Sequence, residues 1–181
     1  MIGKKIFILA QTLWPFNRSL AGNENRKTLK ILKNINPKLR IIEYKSGQKI
    51  YDWEVPKEWN VREAWIKDKH GNKIIDFKDN NLHLVNFSTS IKKKINKKQL
   101  LKNIHTIKKL PNAIPYITSY YKKNWGFCMK YKDLKKLKNK FYFINIDSSF
   151  KQGSMSMGEI IIPGKSSKQI LISTYICHPS M

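Results

Sequence analysis

The residues best suited to chemistry in this chain lie near its end, in Gln169-Ile170-Leu171-Ile172-Ser173-Thr174-Tyr175-Ile176-Cys177-His178-Pro179-Ser180. A thiol and an imidazole stand side by side there, which raises two chemistries, nucleophilic attack and metal binding. The apolar and β-branched residues from 169 to 176 predict a short buried strand. Pro179 cannot donate to a ladder, so the strand must stop before it. Neighbours on a strand point to opposite faces, so Cys177 and His178 do not make a nucleophile–base pair. His178 is then placed at the C-terminal tip of a strand, where ligand sites of open α/β sheets gather. An imidazole held there keeps one ring nitrogen free for a metal. A metal site needs three or four protein ligands, and the chain has no His-Glu-x-x-His and no Cys-x-x-Cys. His178 is therefore a candidate metal ligand that needs partners, with a hydrogen-bonded strand-end histidine as the alternative.

Other candidates are weaker by type and spacing. Arg18 and Gly22 precede a predicted helix from Asn23 to Ile35, capped by Asn23, with Glu24 in its first turn. A helix start can hold an anion, and a capped surface helix is the competing reading. Asp52 and Glu58, each beside a tryptophan, are acid–base candidates. Tyr116, Tyr120, Tyr121 and Trp125 could contact substrate, though aromatics at such positions more often build core. His83 alternates with Leu82 and Leu84, which predicts a solvated ring.

Positioning these residues requires several elements. Arg40–Tyr44 reads as a strand. Val61–Lys67 and Lys73–Phe77 read as a hairpin, and Leu82–Phe87 as a strand with one wet face. A helix is predicted over Ile95–Ile107 with Asn96 as its cap, then a strand at Trp125–Met129 and a short helix at Tyr131–Leu137. Phe141–Ile146 and Gly158–Ile162 complete the strands.

The chain has 181 residues, 41% of them hydrophobic, enough for a globular core. No apolar run approaches the roughly 20 residues of a membrane span. The apolar stretch after Lys4-Lys5 is shorter than the roughly 7–15 residues of a signal peptide, which predicts a cytoplasmic protein. The two cysteines, Cys128 and Cys177, build no disulfide framework. Thirty-six Lys and Arg against 12 Asp and Glu give a formal charge of +24, which attracts polyanions. Arg occurs only at positions 18, 26, 40 and 62, and the lysines are spread along the chain. Since Arg is the residue that grips phosphate and guanine bidentately, specific nucleic-acid recognition is not expected. The joint abundance of Lys, Asn and Ile matches an A/T-rich coding bias.

The segment Ser173-Thr174-Tyr175-Ile176-Cys177-His178-Pro179-Ser180 resembles the signature of an uncharacterised bacterial aminopeptidase-like family, itself similar to the co-catalytic zinc aminopeptidases. That family continues at once into an Asn-Asp-Asn-x-Ser-Gly segment. Its histidine matches the first zinc ligand and its aspartate the metal-bridging carboxylate. The stretch Arg18-Ser19-Leu20-Ala21-Gly22-Asn23-Glu24-Asn25-Arg26-Lys27-Thr28-Leu29 resembles a second family segment, and the strings from Asp52 to Trp65, Asn81 to Ser88 and Ile114 to Cys128 resemble a small inserted domain. Residues 147–164, from Asp147 to Gly164, match the family's approach to its metal-site strand.

The resemblance implies an α/β fold: an incomplete zinc-aminopeptidase-like domain over 1–49 and 141–181, with a mostly β domain inserted at 50–140. It implies zinc-assisted hydrolysis of a peptide or related amide bond, with His178 as one ligand and the remaining ligands and general base after Met181. Zinc would lower the pKa of its bound water and polarise the carbonyl. On this reading the chain is the N-terminal part of a longer protein, inactive alone and holding zinc weakly or not at all. A non-catalytic binding or assembly protein on the same scaffold, and a basic nucleic-acid-binding module, are the rival readings. No membrane partner is expected.

Overall fold

The computed structural model describes residues 1–179. Its elements are α1 (Ile2–Leu13), α2 (Asn23–Ile35), β1 (Arg40–Lys45), β2 (Lys49–Ile50), β3 (Trp53–Glu54), β4 (Glu58–Lys67), β5 (Lys73–Asp76), β6 (Ile91–Asn96), α3 (Lys97–Leu101), β7 (Ile104–His105), β8 (Phe127–Cys128), β9 (Phe141–Lys151) and β10 (Ser154–Glu159). Short 3-10 turns occupy Asn81–His83 and Tyr131–Lys136. The fold is mixed α/β, with small sheets and few helices. The chain gathers into two units, residues 1–58 with 150–179, and residues 59–149. Among the described residues no helix is long and apolar enough to cross a membrane.

In the first unit β1 pairs antiparallel with β10, from Arg40 opposite Glu159 to Lys45 opposite Ser154. Helix α2 lays the buried side chain of Leu29 on this pair. A Cβ on Gly158 would come within 2.8 Å of Leu29 Cδ2 and 3.1 Å of Leu39 Cδ1, so the close approach of helix to strand requires glycine. A polar network joins the same elements. Arg26 Nη2 lies 2.7 Å from Glu58 Oε2, and Glu58 Oε1 accepts from the Ser154 amide at 2.8 Å. The Glu43 carboxylate accepts from the hydroxyls of Ser154 and Ser156.

In the second unit the sheet order is β5-β4-β9-β6. Period-two alternation decides its faces. Tyr142, Ile144 and Ile146 of β9, Ala64 and Ile66 of β4 and Ile95 of β6 are buried, while Phe141 and Phe143 are exposed. The core beneath holds Trp59, Phe87, Leu100, Phe127 and Met129. Trp59 donates its indole N–H to the Ser88 carbonyl at 2.9 Å and stacks on Phe87, ring centroids 5.6 Å apart. Phe87 has φ +63°, a left-handed conformation that costs a bulky residue about 1–3 kcal/mol. Its stack with Trp59 and the edge contact from Tyr120 hold it there.

Several expectations change. The 169–176 stretch forms no strand: it runs extended, with Ile170, Leu171 and Ile172 about nine-tenths exposed. Apolar composition specifies what kind of surface a strand offers, but a strand exists only against a ladder partner, and no described residue pairs with it. Leu82–Phe87 is not a strand either. Asn80 accepts from the Leu82 amide at 2.9 Å and closes a 3-10 turn, and Phe87 leaves the extended region. The helix expected over Ile95–Ile107 shortens to Lys97–Leu101, with Asn96 as its cap in a full capping box. Strand β6 escaped notice because Lys92-Lys93-Lys94 hides its period; it is an edge strand, where lysines oppose unwanted pairing. The strand expected at Gly158–Ile162 lies earlier, at Ser154–Glu159. Gly22, not Asn23, is the N-cap of α2. Helix α1, with no buried residue, was not foreseen.

Candidate functional site

The short segment Arg18–Gly22 is built to be rigid. Asn25, in the first turn of α2, turns its amide back on Ser19: its Oδ1 accepts from the Ser19 amide at 3.0 Å and its Nδ2 donates to the Ser19 carbonyl at 2.6 Å. The Ser19 hydroxyl donates to the Ala21 carbonyl at 3.1 Å. Arg18, Ser19, Ala21, Asn25 and Thr28 are all buried. This clamp fixes the Arg18 guanidinium, whose Nε donates to the His178 carbonyl at 3.1 Å. Residues 160 apart in sequence thus meet in the first unit. They belong to the two segments singled out above, one before α2 and one carrying Cys-His-Pro. Gly22 is buried at the N-cap of α2.

The electrostatics follow from burial and from that guanidinium. Burial lowers the Arg18 pKa, with the Cys177 sulfur opposing. Burial raises the Cys177 thiol, and the charge of Arg18 pulls it back down. The His178 imidazole is pushed below its ordinary value, first by burial and then by Arg18. Neutral imidazole is the form that binds metals. The donors do not close a site, however. Among the described residues no group of three or more His, Cys, Asp or Glu side chains gathers to hold a metal ion. His178 is a single donor here, and the described residues alone do not fit a zinc site.

The remaining candidates separate. Glu58 is buried and engaged by Arg26 and Ser154, a structural role, while Asp52 is exposed. Tyr120 packs edge-on against Phe87 and Tyr121, and Trp125 against Phe127; Tyr121 itself is 89% exposed and Tyr116 40%. Cys128 is fully buried, its thiol pushed up to about 12, which removes it as a nucleophile.

His83 is not solvated as expected. Its Nδ1 lies 2.8 Å from the Cys128 carbonyl, and the ring borders a cavity of about 300 Å³ with Ile75, Asp79, Met129, Lys130 and Asp133. The 3-10 turn, invisible to a period-two reading, rotates it inward. Burial lowers its pKa; Asp79 and Asp133 raise it and Lys130 lowers it. Burial lowers His105 in the same unit as well. A folded pKa below the unfolded value means the unfolded chain binds protons first as pH falls. Stability from these rings is therefore complete above about pH 6.5 and is lost as pH drops through the folded values. Urea midpoints are expected to fall between pH 7 and about 5, and His83→Gln is expected to flatten that decline. An unchanged slope in the variant would assign the effect elsewhere.

Comparison with known proteins follows these two segments closely. A model of the family described as "Domain of unknown function (DUF2172)" matches residues 58–149. A protein of Clostridium acetobutylicum named "Putative polysaccharide biosynthesis protein with aminopeptidase-like domain" is 44% identical over 179 residues, covering 99% of this chain and 41% of that protein. A crystal structure described as a "putative peptidase" from the same organism superimposes with a TM-score of 0.94 at 44% identity, covering 99% of this chain and 42% of that one. The chain thus spans about two-fifths of the length of the relatives it matches. Since the family model covers half of it, through the whole of the second unit, the chain belongs to the DUF2172 family.

Proposed function

We propose that this chain is the N-terminal portion of a zinc-dependent aminopeptidase-like hydrolase that cleaves peptide or related amide bonds. The observation that carries the reading is the tie between Arg18 and the His178 carbonyl. A buried guanidinium anchored by the Asn25 clamp holds the Cys-His-Pro segment although that segment sits in no sheet. The work of these residues is positional: Arg18 fixes the backbone of His178, and burial beside a cation keeps its imidazole neutral. The names of the relatives support the same class of reaction. Under this reading the small β domain is an insertion into the peptidase-like domain. The unpaired thiols of Cys128 and Cys177 support a cytoplasmic setting.

The test compares residues 1–181 with the polypeptide extended to the length of its relatives. Zinc content and hydrolysis of aminoacyl p-nitroanilides are measured on both. The shorter chain is expected to show no turnover and only loosely held zinc, and the extended one both activity and zinc. His178→Ala in the extended protein is expected to lower zinc affinity at least about 10-fold. Tight zinc in residues 1–181 that survives His178→Ala would place the metal elsewhere and defeat the reading.

A further inference from the structure

We propose that the solvent face of the β5-β4-β9-β6 sheet binds a carboxylated polysaccharide, through the rings of Trp65, Phe141 and Phe143 and the ammonium groups of Lys67, Lys92 and Lys94. The inference lies beyond the hydrolase reading and rests only on residues of the second unit.

The face is assembled by register. Phe141 and Phe143 are 46% and 41% exposed, on either side of the fully buried Tyr142. Residues two apart on a strand share a face about 6.8 Å apart, so the two rings stand in a row along β9. On β6, Lys92 lies opposite Asn145, Lys94 opposite Phe143 and Asn96 opposite Phe141, and cross-strand partners share a face. Lys94 Nζ sits 5.2 Å from the Phe141 ring centroid and 5.7 Å from that of Phe143. On β4, Glu63 Oε1 accepts from Asn145 Nδ2 at 2.8 Å, which puts Glu63 on the same side. Trp65 follows two residues later, between the inward Ala64 and Ile66. Lys67 Nζ lies 4.4 Å from the Trp65 ring centroid.

Lysines on an edge strand are enough to block edge pairing. That accounts for β6 but not for aromatic rings on β9 and β4, which are interior strands of the sheet. A contiguous apolar row on a wet face marks an interaction surface. Among the described residues Lys67, Lys92 and Lys94 have no ion-pair partner, whereas Lys73 on β5 is tied to Asp76. The face therefore offers flat rings and uncompensated positive charge together.

Glu63 chooses the occupant. It lies among the rings, where a phosphodiester strand, charged at every unit, would be repelled. A carboxylated sugar chain meets each group instead. Its C–H faces stack on the rings, its carboxylates pair with the lysines, and its hydroxyls bond to the Glu63 carboxylate and Asn145 amide.

Binding of labelled alginate and polygalacturonate oligosaccharides to the whole chain tests this, with dextran and poly(dT) as comparators. Saturable binding of both acidic glycans is expected, tighter than for either comparator. Phe143→Ala and Trp65→Ala are each expected to weaken it about 5- to 10-fold, one stacking contact apiece, without moving the thermal melt. Where an alanine variant loses folding, Phe143→Leu, apolar but not flat, takes its place with the same expectation. Three outcomes would overturn the proposal. One is no saturable glycan binding. Another is tighter binding of poly(dT). The last is affinity that ignores both aromatic replacements and follows salt alone, the mark of diffuse attraction to the net charge.

Discussion

Trp59→Ala is expected to cost about 3–5 kcal/mol and to unfold the second unit near room temperature. The side chain is 1% exposed and touches Phe87 face to face. Its removal deletes the largest fully buried side chain in the described residues and opens a cavity that a β-sheet core cannot collapse into. It also releases Phe87, whose left-handed backbone depends on that packing. The Ser88 carbonyl keeps one donor, the Ser148 hydroxyl at 2.8 Å. Trp59→Phe is accordingly expected to cost less, about 1–2 kcal/mol, for one hydrogen bond and a smaller void. Urea unfolding by circular dichroism gives the magnitude. Hydrogen exchange gives the place: amides of β6 and β9 should lose protection. A loss below about 1 kcal/mol for the alanine variant would show that the core closes over the gap.

Its neighbour Glu58 should act on the other unit. Glu58→Ala is expected to cost about 3 kcal/mol, the low end for breaking a buried pair, because Arg26 keeps about a quarter of its side chain in water. The substitution strands the Arg26 guanidinium, which Glu58 stabilises in its charged form more than any other group does. It also leaves the Ser154 amide without its acceptor at the start of β10. Glu58→Gln can still accept from that amide but offers no charge, so roughly half the loss is expected. Hydrogen exchange should place the damage in β1 and β10, with β6 and β9 unchanged. Damage confined to β6 and β9 instead would refute the assignment of Glu58 to the first unit.

Local signals settled part of this protein in advance. Helix α2, strand β1, the β4–β5 hairpin, the Asn96 cap and most of β9 were legible, because each rests on a short-range pattern: apolar spacing, a turn residue or a capping side chain. Where charge masked the period, as in Lys92-Lys93-Lys94, or where one asparagine side chain bent a regular alternation into a turn, as at Asn80, the pattern misled. The 169–176 stretch shows the limit most plainly. Its residues have the composition of a strand, but pairing is a property of two segments, and composition reports one. For the candidate site, residue type alone picked out His178, and Arg18 was one candidate among several. Only the tertiary structure joined them across 160 positions, through a clamp made by Asn25, a residue with no chemistry of its own. A hydrogen bond between distant segments depends on where the backbone of each is fixed, and that is decided by packing rather than by spacing along the chain.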